Sequence, residues 1–297
     1  MMLVHNYEKP KVPSRVVILG ANGFVGNAIR MRLCNQNINC RSIVRADIDL
    51  LKLGASSDLA AELKSDDVLI VAAAVAPCKD AYMLRKNIVI LETIIAALSK
   101  QPISHLINIS SDAVYGDETV PLTENSVREA KNPHAVMHLA REIMFQGLNI
   151  PLAIVRPTLI YGSDDPHNGY GPNQFRRLAN MGKNIVLFGE GEEERDHIFI
   201  GDVAEITSLI IRYKSVGSLN LATGTTCSFK KIADMINLFS GANVAIETVP
   251  RKGRMPHNGY RAFDITTIKR AFPQFSYTSL SEGLKKVQEK EFVKTNT

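Results

Sequence analysis

The chain has 297 residues, of which 45% are hydrophobic and 22% are charged, a balance typical of a soluble globular protein. Its net charge of +5 is spread along the sequence without a block of Lys and Arg, which fits small anionic ligands and argues against a nucleic-acid partner. The sequence has no run of 18 apolar residues and no apolar segment of signal-peptide length near its start, so we expect a cytoplasmic protein without a membrane partner. Its four cysteines lack metal-ligand spacing, so we expect reduced thiols.

The first half of the sequence alternates between short apolar strands and helical patterns. Strands are predicted at the start of Arg15–Gly26, in Cys40–Asp47 and Asp66–Ala74, and within His105–Gly116 and Pro151–Gly162. Helices are predicted between them, among others at Asn87–Ser99 and Pro133–Gly147. This alternation predicts βαβ units with right-handed crossovers, and strands that are apolar throughout predict a parallel sheet covered on both faces.

After residue 162 the regular alternation breaks. SDDPHNGYGPN is rich in turn formers, whereas HIFIGDVAEITSLIIRY predicts a strand and a helix, and SLNLATG predicts another strand. KKIADMINLFSG and Leu280–Glu289 predict two further helices, with the segment IETVP between them. We therefore predict an α/β fold with a doubly wound parallel (Rossmann) sheet and a smaller C-terminal α/β lobe. The predicted divisions are 14–165 plus 198–222 for the sheet, 166–197 plus 223–290 for the lobe, and flexible ends at 1–13 and 291–297.

A glycine turn links the first predicted strand to the first helix, with the spacing GxxGxxG. The candidate ligand-binding residues of this turn are Gly20, Asn22, Gly23, Phe24, Val25 and Gly26. Glycine permits a tight turn and a close approach of backbone N–H groups to a pyrophosphate at the positive end of the helix. A plain structural turn is the alternative, but the strand before it and the helix after it favour a dinucleotide site.

The end of the second predicted strand bears on which dinucleotide is bound. A carboxylate there would bind the ribose hydroxyls of NAD, whereas Arg45 follows the strand and suits the 2′-phosphate of NADP. Asp49 lies close enough in sequence to provide the acidic group that NAD binding requires. An alternative role for Asp49 is a contact beside the adenine, together with Leu50. The sequence therefore favours NADP and leaves NAD open.

Many ordered segments make the chain resemble the extended short-chain dehydrogenase/reductases, the NAD(P)-dependent epimerase/dehydratase family of nucleotide-sugar enzymes. The segments are GANGFVG for the glycine turn, IVAAAVAP for the third strand, ISSDAVYGD with PLTENS for the catalytic Ser or Thr, IVRPTLIYG for the strand beside the nicotinamide, and GPNQF and GEGEEERDHIFIGDVA for substrate contacts. The resemblance spans roughly residues 14–285. The short second-to-third strand connection resembles the dTDP-4-dehydrorhamnose reductases, whereas ISSDAVYGD resembles the UDP-galactose 4-epimerases.

The resemblance implies roles that the patterns alone do not assign. It implies that Ser111 is catalytic and that the C-terminal lobe binds the substrate. The implied cofactor contacts beyond the turn and second strand are Ala72, Ala73, Ala74, Asn87 and Pro157. The implied contacts of a nucleotide-linked sugar are Asn173, Arg195 and Arg261. The resemblance also implies a homodimer formed through two helices of each subunit.

His134 and His138 stand where the family has its catalytic Tyr-x-x-x-Lys pair. Asn132 and Pro133 are typical of a helix start, so the two imidazoles should share one helical face. The helix dipole favours a neutral His134, and a neutral imidazole accepts a proton at one nitrogen and donates from the other. We predict that His134 is the acid/base and that His138 supports the cofactor ribose or pairs with His134.

Other uses of the two histidines remain open. Both could be remnants of a lapsed site, or they could chelate a metal, although no third ligand is evident and we expect none bound.

We therefore expect an NAD(P)-dependent enzyme that moves hydride at a carbon of a nucleotide-linked sugar through Ser111, His134 and His138. Epimerisation, ketone reduction and alcohol oxidation are all compatible with the sequence. Two alternatives are a non-catalytic dinucleotide-binding sensor or scaffold, and a non-redox epimerase that removes a proton beside an existing ketone.

Overall fold

The computed structural model describes residues 2–295, with side chains up to residue 290. Its strands are β1 (Val4–His5), β2 (Val16–Leu19), β3 (Cys40–Ile43), β4 (Val68–Val71), β5 (His105–Ile109), β6 (Leu152–Pro157), β7 (Leu159–Tyr161), β8 (Ile185–Phe188), β9 (Glu194–Phe199), β10 (Ser215–Leu221), β11 (Thr226–Ser228), β12 (Ile246–Val249) and β13 (Tyr260–Arg261). Its helices are α1 (Phe24–Asn35), α2 (Ala55–Glu62), α3 (Ala81–Lys100), α4 (Pro133–Gln146), α5 (Pro172–Asn180), α6 (Ile200–Arg212), α7 (Phe229–Ser240), α8 (Thr266–Ala271) and α9 (Leu280–Thr295). Short 3-10 turns lie at Asp112–Val114 and Pro256–Gly259. None of the helices in the described range has both the length and the apolar character that a bilayer crossing requires.

The large sheet has the strand order β1-β10-β6-β5-β4-β2-β3. Its neighbouring pairs from β10 to β3 are parallel, and β1 is added antiparallel to β10. After β2 the chain adds β3 on one side and then β4 on the other, so the direction of sheet growth reverses between β2 and β4. In doubly wound sheets, ligands bind outside the carboxyl ends of the strands at such a reversal.

Each face of the large sheet is covered by its own apolar cluster. Side chains alternate along a strand, so Val16 and Ile18 pack into one cluster and Val17 and Leu19 into the other. The first cluster includes residues of α1 and α6, and the second includes residues of α2 and α3. Burial on both faces explains why these strands are apolar without alternation, and it confirms the predicted doubly wound sheet.

A third apolar cluster joins the elements of the smaller C-terminal lobe. It contains residues of α5, β8, α7 and α9, such as Phe175, Leu187, Phe229 and Leu284. In this lobe β9 pairs with β7, β11 and β13, and β8 pairs with β12. The segment of α8 differs, because Ile268 packs into the first cluster on the large sheet although it falls inside the range 223–290 that the sequence assigns to the lobe.

Residues 3–5 pack against the large sheet, contrary to the flexible end that the sequence predicts for 1–13. Leu3 is buried, and His5 contacts Ser215 Oγ at 2.7 Å through Nδ1 and the Ala271 carbonyl at 2.8 Å through Nε2. This segment adds a strand to the β10 edge, so the sheet gains a hydrogen-bonded border. At the other end α9 continues to Thr295, and residues 296–297 of the predicted flexible end lie outside the described residues.

Candidate active site

The glycine turn between β2 and α1 is tightly folded. Gly20 has φ +85°, and a Cβ added there would lie 2.7 Å from the backbone nitrogen of Ala73. A Cβ added to Gly26 would overlap the carbonyl oxygen of Gly20. Gly23 is the N-cap of α1, no side chain caps the helix, and its first turn has no acidic residue. The first N–H groups of α1 are therefore free to bind an anion.

The turn forms one wall of a cleft of about 290 Å³ at the carboxyl ends of β2, β3 and β4. The predicted cofactor residues that line it are Gly20, Asn22, Gly23, Arg45, Asp49, Leu50, Ala72, Ala73 and Ala74. Ile43, Ile48 and Ile90 add apolar walls. Apolar walls beside free helix N–H groups fit a purine nucleoside joined to a diphosphate, so the structure is compatible with the dinucleotide that the sequence predicts.

At the rim of this cleft, Arg45 and Asp49 form an ion pair. Arg45 Nε lies 3.3 Å from Asp49 Oδ2, and the Arg45 side chain is 76% exposed. The pKa of Asp49 is lowered, first because its carboxylate accepts a hydrogen bond from the Leu51 backbone N–H and then because of Arg45. Arg45, which would favour NADP, and Asp49, which would favour NAD, thus lie at the same end of the cleft.

The other predicted cofactor residues, which do not line this cleft, are Phe24, Val25, Gly26, Asn87 and Pro157. Phe24 lines a separate cavity between α1 and α9, and Val25 packs against the first apolar cluster. Pro157 is buried at the end of β6. For Phe24 and Val25, contacts through the backbone at the start of α1 are compatible with the prediction, whereas side-chain contacts in the cleft are not.

His134 and His138 lie on one face of α4, as predicted. Asn132 caps this helix by accepting a hydrogen bond from Ala135 N at 2.9 Å, and Pro133 occupies its first position. The two rings pack edge to face with centroids 4.7 Å apart. His138 is buried, whereas His134 is half-buried. The helix start therefore places two imidazoles in contact, with one of them reachable by a ligand.

Both imidazoles are neutral near pH 7. Burial lowers the pKa of His134, although the nearby carboxylate of Asp112 opposes this. Burial also lowers the pKa of His138 well below its ordinary value, and the neighbouring Arg141 and His134 lower it further. The helix dipole acts in the same direction on His134 in the first turn.

A rigid loop after β4 contacts His134. The backbone N–H of Cys78 donates to His134 Nδ1 at 3.4 Å. Asn87 holds the start of this loop, because its Oδ1 accepts from Val75 N at 2.9 Å and its Nδ2 donates to Val75 O at 3.0 Å. Asp80 ends the loop as the N-cap of α3. The amide of Asn87, predicted as a cofactor contact, is therefore engaged with the loop backbone and positions Cys78.

Ser111 follows β5 and begins the 3-10 turn at Asp112–Val114, which packs against α4. Its Oγ accepts a hydrogen bond from Ala113 N at 3.1 Å. Since a hydroxyl is both acceptor and donor, the hydrogen of Ser111 remains available for a ligand. The structure thus brings Ser111 and the histidine helix together, as the sequence predicts.

The two predicted substrate arginines lie side by side, because β13 pairs with β9 in a register that places Arg261 opposite Arg195. Arg261 donates from Nε to Asp112 Oδ2 at 3.0 Å, and Arg195 Nη2 lies 3.9 Å from the same carboxylate oxygen. Arg195 Nη1 also donates to Glu193 Oε1 at 3.4 Å. Both arginines are buried, and Arg195 Nε has no partner among the described residues. The pair therefore lies next to the residue that follows Ser111.

Asn173, the third predicted substrate residue, has its amide engaged inside the protein. Its Oδ1 accepts from Gly162 N at 3.0 Å, and its Nδ2 donates to Asp165 Oδ2 at 3.0 Å. The side chain is buried at the start of α5. Asn173 therefore anchors the loop that follows β7. Its amide binds the protein itself, whereas the sequence predicts a direct contact with the ligand.

Sequence reasoning missed a buried cation beneath the histidine pair. Arg141 is 4% exposed, and its Nη2 donates to Val71 O at 2.9 Å and to Asn108 Oδ1 at 2.8 Å. Burial lowers its pKa to about 10. Its spacing of three residues from His138 shows in the sequence that both share a helical face. The contact of Cys78 had no comparable signal, because a loop residue 56 positions away supplies it.

The doubly wound sheet, the glycine turn and the cleft at the strand reversal define an α/β protein of the dinucleotide-binding class. The model of the NAD dependent epimerase/dehydratase family matches residues 16–222. The chain belongs to this family, which confirms the resemblance seen in the sequence.

Relatives and solved structures agree with this membership. The chain is 25% identical over 249 residues to an uncharacterized UDP-glucose epimerase of Bacillus subtilis, covering 77% of this chain and 75% of that protein. Its fold is similar to a GDP-L-fucose synthetase from Naegleria fowleri bound to NADP, with TM-score 0.83, 16% identity, and coverage of 100% and 98% of the two chains. It is also similar to a UDP-glucose 4-epimerase from Thermotoga maritima with UDP-glucose, with TM-score 0.82, 18% identity, and coverage of 95% and 100%. At these identities the two structures show the fold alone.

Proposed function

We propose that the protein is an NAD(P)-dependent enzyme that moves hydride at a carbon of a nucleotide-linked sugar, with an acid/base set of Ser111, His134 and His138. The observation that carries the proposal is the placement of the two neutral imidazoles on α4, beside the serine turn. The glycine turn and its cleft, at the strand reversal of the same sheet, provide the site for the nicotinamide cofactor, which supplies or accepts the hydride when bound.

Each member of the proposed set has a physical role. Ser111 donates its hydroxyl hydrogen to the sugar oxygen, and His134 exchanges a proton with the same oxygen. His138 is buried and packs against His134, so it orients that ring, and we propose that it also supports the cofactor ribose. Since one ring contacts the other, a second charge on this pair is unfavourable and the two titrate as a unit.

The proposed substrate contacts are Arg195 and Arg261, which would bind the diphosphate of the nucleotide. They are buried together, and the Nε of Arg195, which has no partner within the described part of the chain, is a donor that an anion would satisfy. Their present partner Asp112 competes for the same guanidinium groups. Binding of a diphosphate would therefore weaken the contacts of the two arginines with the Asp112 carboxylate. Asn173 supports the site through the loop that it anchors.

We also propose a homodimer. Helix α4 leaves Val136, Ile143 and Met144 exposed, and α3 packs along it. Exposed apolar side chains on neighbouring helices are typical of a surface that associates with a second copy.

Replacement of His134 by Ala is expected to lower turnover by at least about a hundredfold, the range usual for a general acid or base. The substrate for this measurement is found first, by mass spectrometry of the copurifying cofactor and thermal-shift screening of nucleotide sugars. Gln146→Ala, an exposed change at the other end of α4, is the matched control and should keep full turnover. Wild-type turnover of His134→Ala with cofactor still bound would contradict the assignment of His134.

Replacement of Arg45 by Ala is expected to weaken NADP binding by about tenfold while leaving NAD binding unchanged, because a charge-assisted hydrogen bond to the 2′-phosphate is lost. The two dissociation constants are measured by calorimetry. Lys52→Ala removes an exposed positive charge nearby and controls for general electrostatics. Equal NADP affinity in Arg45→Ala and wild type would show that the NADP preference is wrong.

A further inference from the structure

Ser111 and His134 use their acceptor atoms in the same way. Ser111 Oγ accepts a hydrogen bond from the Ala113 N–H at 3.1 Å, and His134 Nδ1 accepts one from the Cys78 N–H at 3.4 Å. In both cases the donor is a backbone amide, whose hydrogen cannot be moved elsewhere. Each side chain therefore has an acceptor atom bound to the protein and keeps its own hydrogen for a ligand.

For an imidazole this arrangement selects a tautomer. A neutral ring carries one hydrogen, on Nδ1 or on Nε2. With the Cys78 N–H directed at Nδ1, a hydrogen on Nδ1 would place two donors against each other and leave a buried amide without an acceptor. The loss of a buried hydrogen bond is enough to favour one tautomer over the other by about tenfold. This geometry therefore favours a hydrogen on Nε2 of His134.

The surroundings hold the ring in this geometry. Cys78 is 3% exposed, and its loop is fixed at one end by Asn87 and at the other by the Asp80 cap. The ring of His138 packs against the ring of His134 and restricts its rotation. A donor that is held rigidly needs no reorganisation when it binds a reacting oxygen.

The groups that face His134 leave the ring neutral. They are Asp112 from the 3-10 turn, His167 from the loop after β7, His138 and Arg141 from α4, and Cys78 from the loop after β4. Burial, His167 and Arg141 lower the pKa of His134, and Asp112 raises it. The lowering effects prevail, so the hydrogen on Nε2 belongs to a neutral donor.

We propose that the Cys78 peptide N–H fixes His134 in the tautomer with its hydrogen on Nε2, so that His134 and Ser111 present two donors to one substrate oxygen. This inference rests on the proposed function and narrows its substrate to a nucleotide-linked ketosugar. A carbonyl oxygen has two lone pairs for two donors and brings no hydrogen of its own. A hydroxyl group would bring a further hydrogen toward the same two donors. A neutral imidazole that polarises a carbonyl is an established catalytic device in other enzymes. When the carbonyl carbon accepts hydride, the C=O π bond breaks and the oxygen takes the Nε2 proton of His134, whose ring then regains a proton from solvent.

The test is the tautomer of His134 in the full chain, observed by long-range ¹H–¹⁵N NMR with ¹⁵N-labelled histidine. At about pH 8, where imidazole is largely neutral, Nδ1 is expected in the unprotonated region of the spectrum and Nε2 in the protonated region. His134→Gln removes these signals and thereby assigns them. His167→Gln changes a histidine in the facing loop and should leave them in place.

A second readout follows the Cys78 amide itself. Its hydrogen is expected to exchange with solvent about tenfold faster in His134→Ala than in His167→Ala, because only the first change removes its acceptor. Equal exchange in the two variants would overturn the hydrogen bond on which the inference depends.

The outcomes separate this inference from the proposed function. A hydrogen on Nδ1 of His134, or an even mixture of tautomers, overturns the donor assignment even if His134→Ala abolishes turnover and the proposed function stands. A hydrogen on Nε2 combined with full turnover of His134→Ala overturns the use of His134 in both proposals.

Discussion

Replacement of Glu142 by Gln is expected to lower the free energy of unfolding by about 3–5 kcal/mol, the usual cost of removing one partner of a buried ion pair. Glu142 is fully buried and binds Arg156 through both oxygens, with Oε1 at 2.8 Å from Nε and Oε2 at 2.7 Å from Nη2. Its Oε1 also accepts from Ser110 Oγ at 2.5 Å. A neutral amide would leave the guanidinium, itself only 2% exposed, without its anion. Urea unfolding followed by circular dichroism measures the loss.

Arg128→Ala is the matched control for this change. Arg128 Nη1 lies 3.7 Å from the same carboxylate, but its side chain is 40% exposed, so its removal should cost less than about 1 kcal/mol. The double variant Glu142→Gln with Arg156→Gln should lose less than the sum of the single changes, because the two side chains are directly coupled. A loss below about 1 kcal/mol for Glu142→Gln alone would show that the pair does not stabilise the fold.

The parts of the fold that could be predicted from sequence are those fixed by nearby residues. The turn at Gly20–Gly26 and the helix start at Asn132-Pro133 need only local spacing, because caps and glycine turns act within a few residues. The central strands could be predicted because both faces are buried, which leaves an uninterrupted apolar run such as VLIV in β4. The same local spacing predicts that His134 and His138 share one face of α4, where their rings are in contact.

The parts that escaped prediction depend on contacts between distant segments. Strand β1 pairs with β10, which lies more than two hundred residues away in the sequence. A strand of only two residues has almost no sequence pattern from which it could be predicted. Helix α2 has only a weak apolar face, so its sequence pattern does not predict a helix. Helix α5 begins within a stretch rich in turn-forming residues, which predicts a loop. Local propensity cannot decide such elements, because tertiary packing does.

The same distinction between local sequence and contacts with distant segments applies to the site residues. The sequence predicts Arg195 and Arg261 as separate contacts, and the register of β13 on β9 shows that both lie at the carboxylate of Asp112. Asn87 and Asn173 were predicted to contact ligands, yet both amides bind the protein's own chain. A buried amide has donors and acceptors to satisfy, and the sequence does not show whether a ligand or a loop satisfies them.

Replacement of Gly26 by Ala is expected to weaken cofactor binding by up to about a hundredfold. The added Cβ overlaps the carbonyl oxygen of Gly20, which is backbone and cannot rotate away. Overpacking of this kind costs about 1–3 kcal/mol, and about 2.8 kcal/mol corresponds to a hundredfold in an equilibrium constant. The turn relieves the overlap by opening, which moves the N–H groups at the start of α1 away from the pyrophosphate position. Calorimetric titration with NAD and with NADP measures the loss.

Gly147→Ala is the matched control, because it adds a Cβ at a glycine where the Cβ would not overlap another atom. At this C-cap of α4 an added Cβ would lie 3.4 Å from the Met144 carbonyl oxygen, an ordinary contact, and φ is −75°, which any residue adopts. It should leave cofactor affinity unchanged, whereas Gly26→Ala should lose it while its circular dichroism spectrum still shows an α/β fold. Unchanged affinity in Gly26→Ala would mean that the pyrophosphate is not held at this turn. The cofactor site would then have to be sought outside the cleft at the ends of β2, β3 and β4.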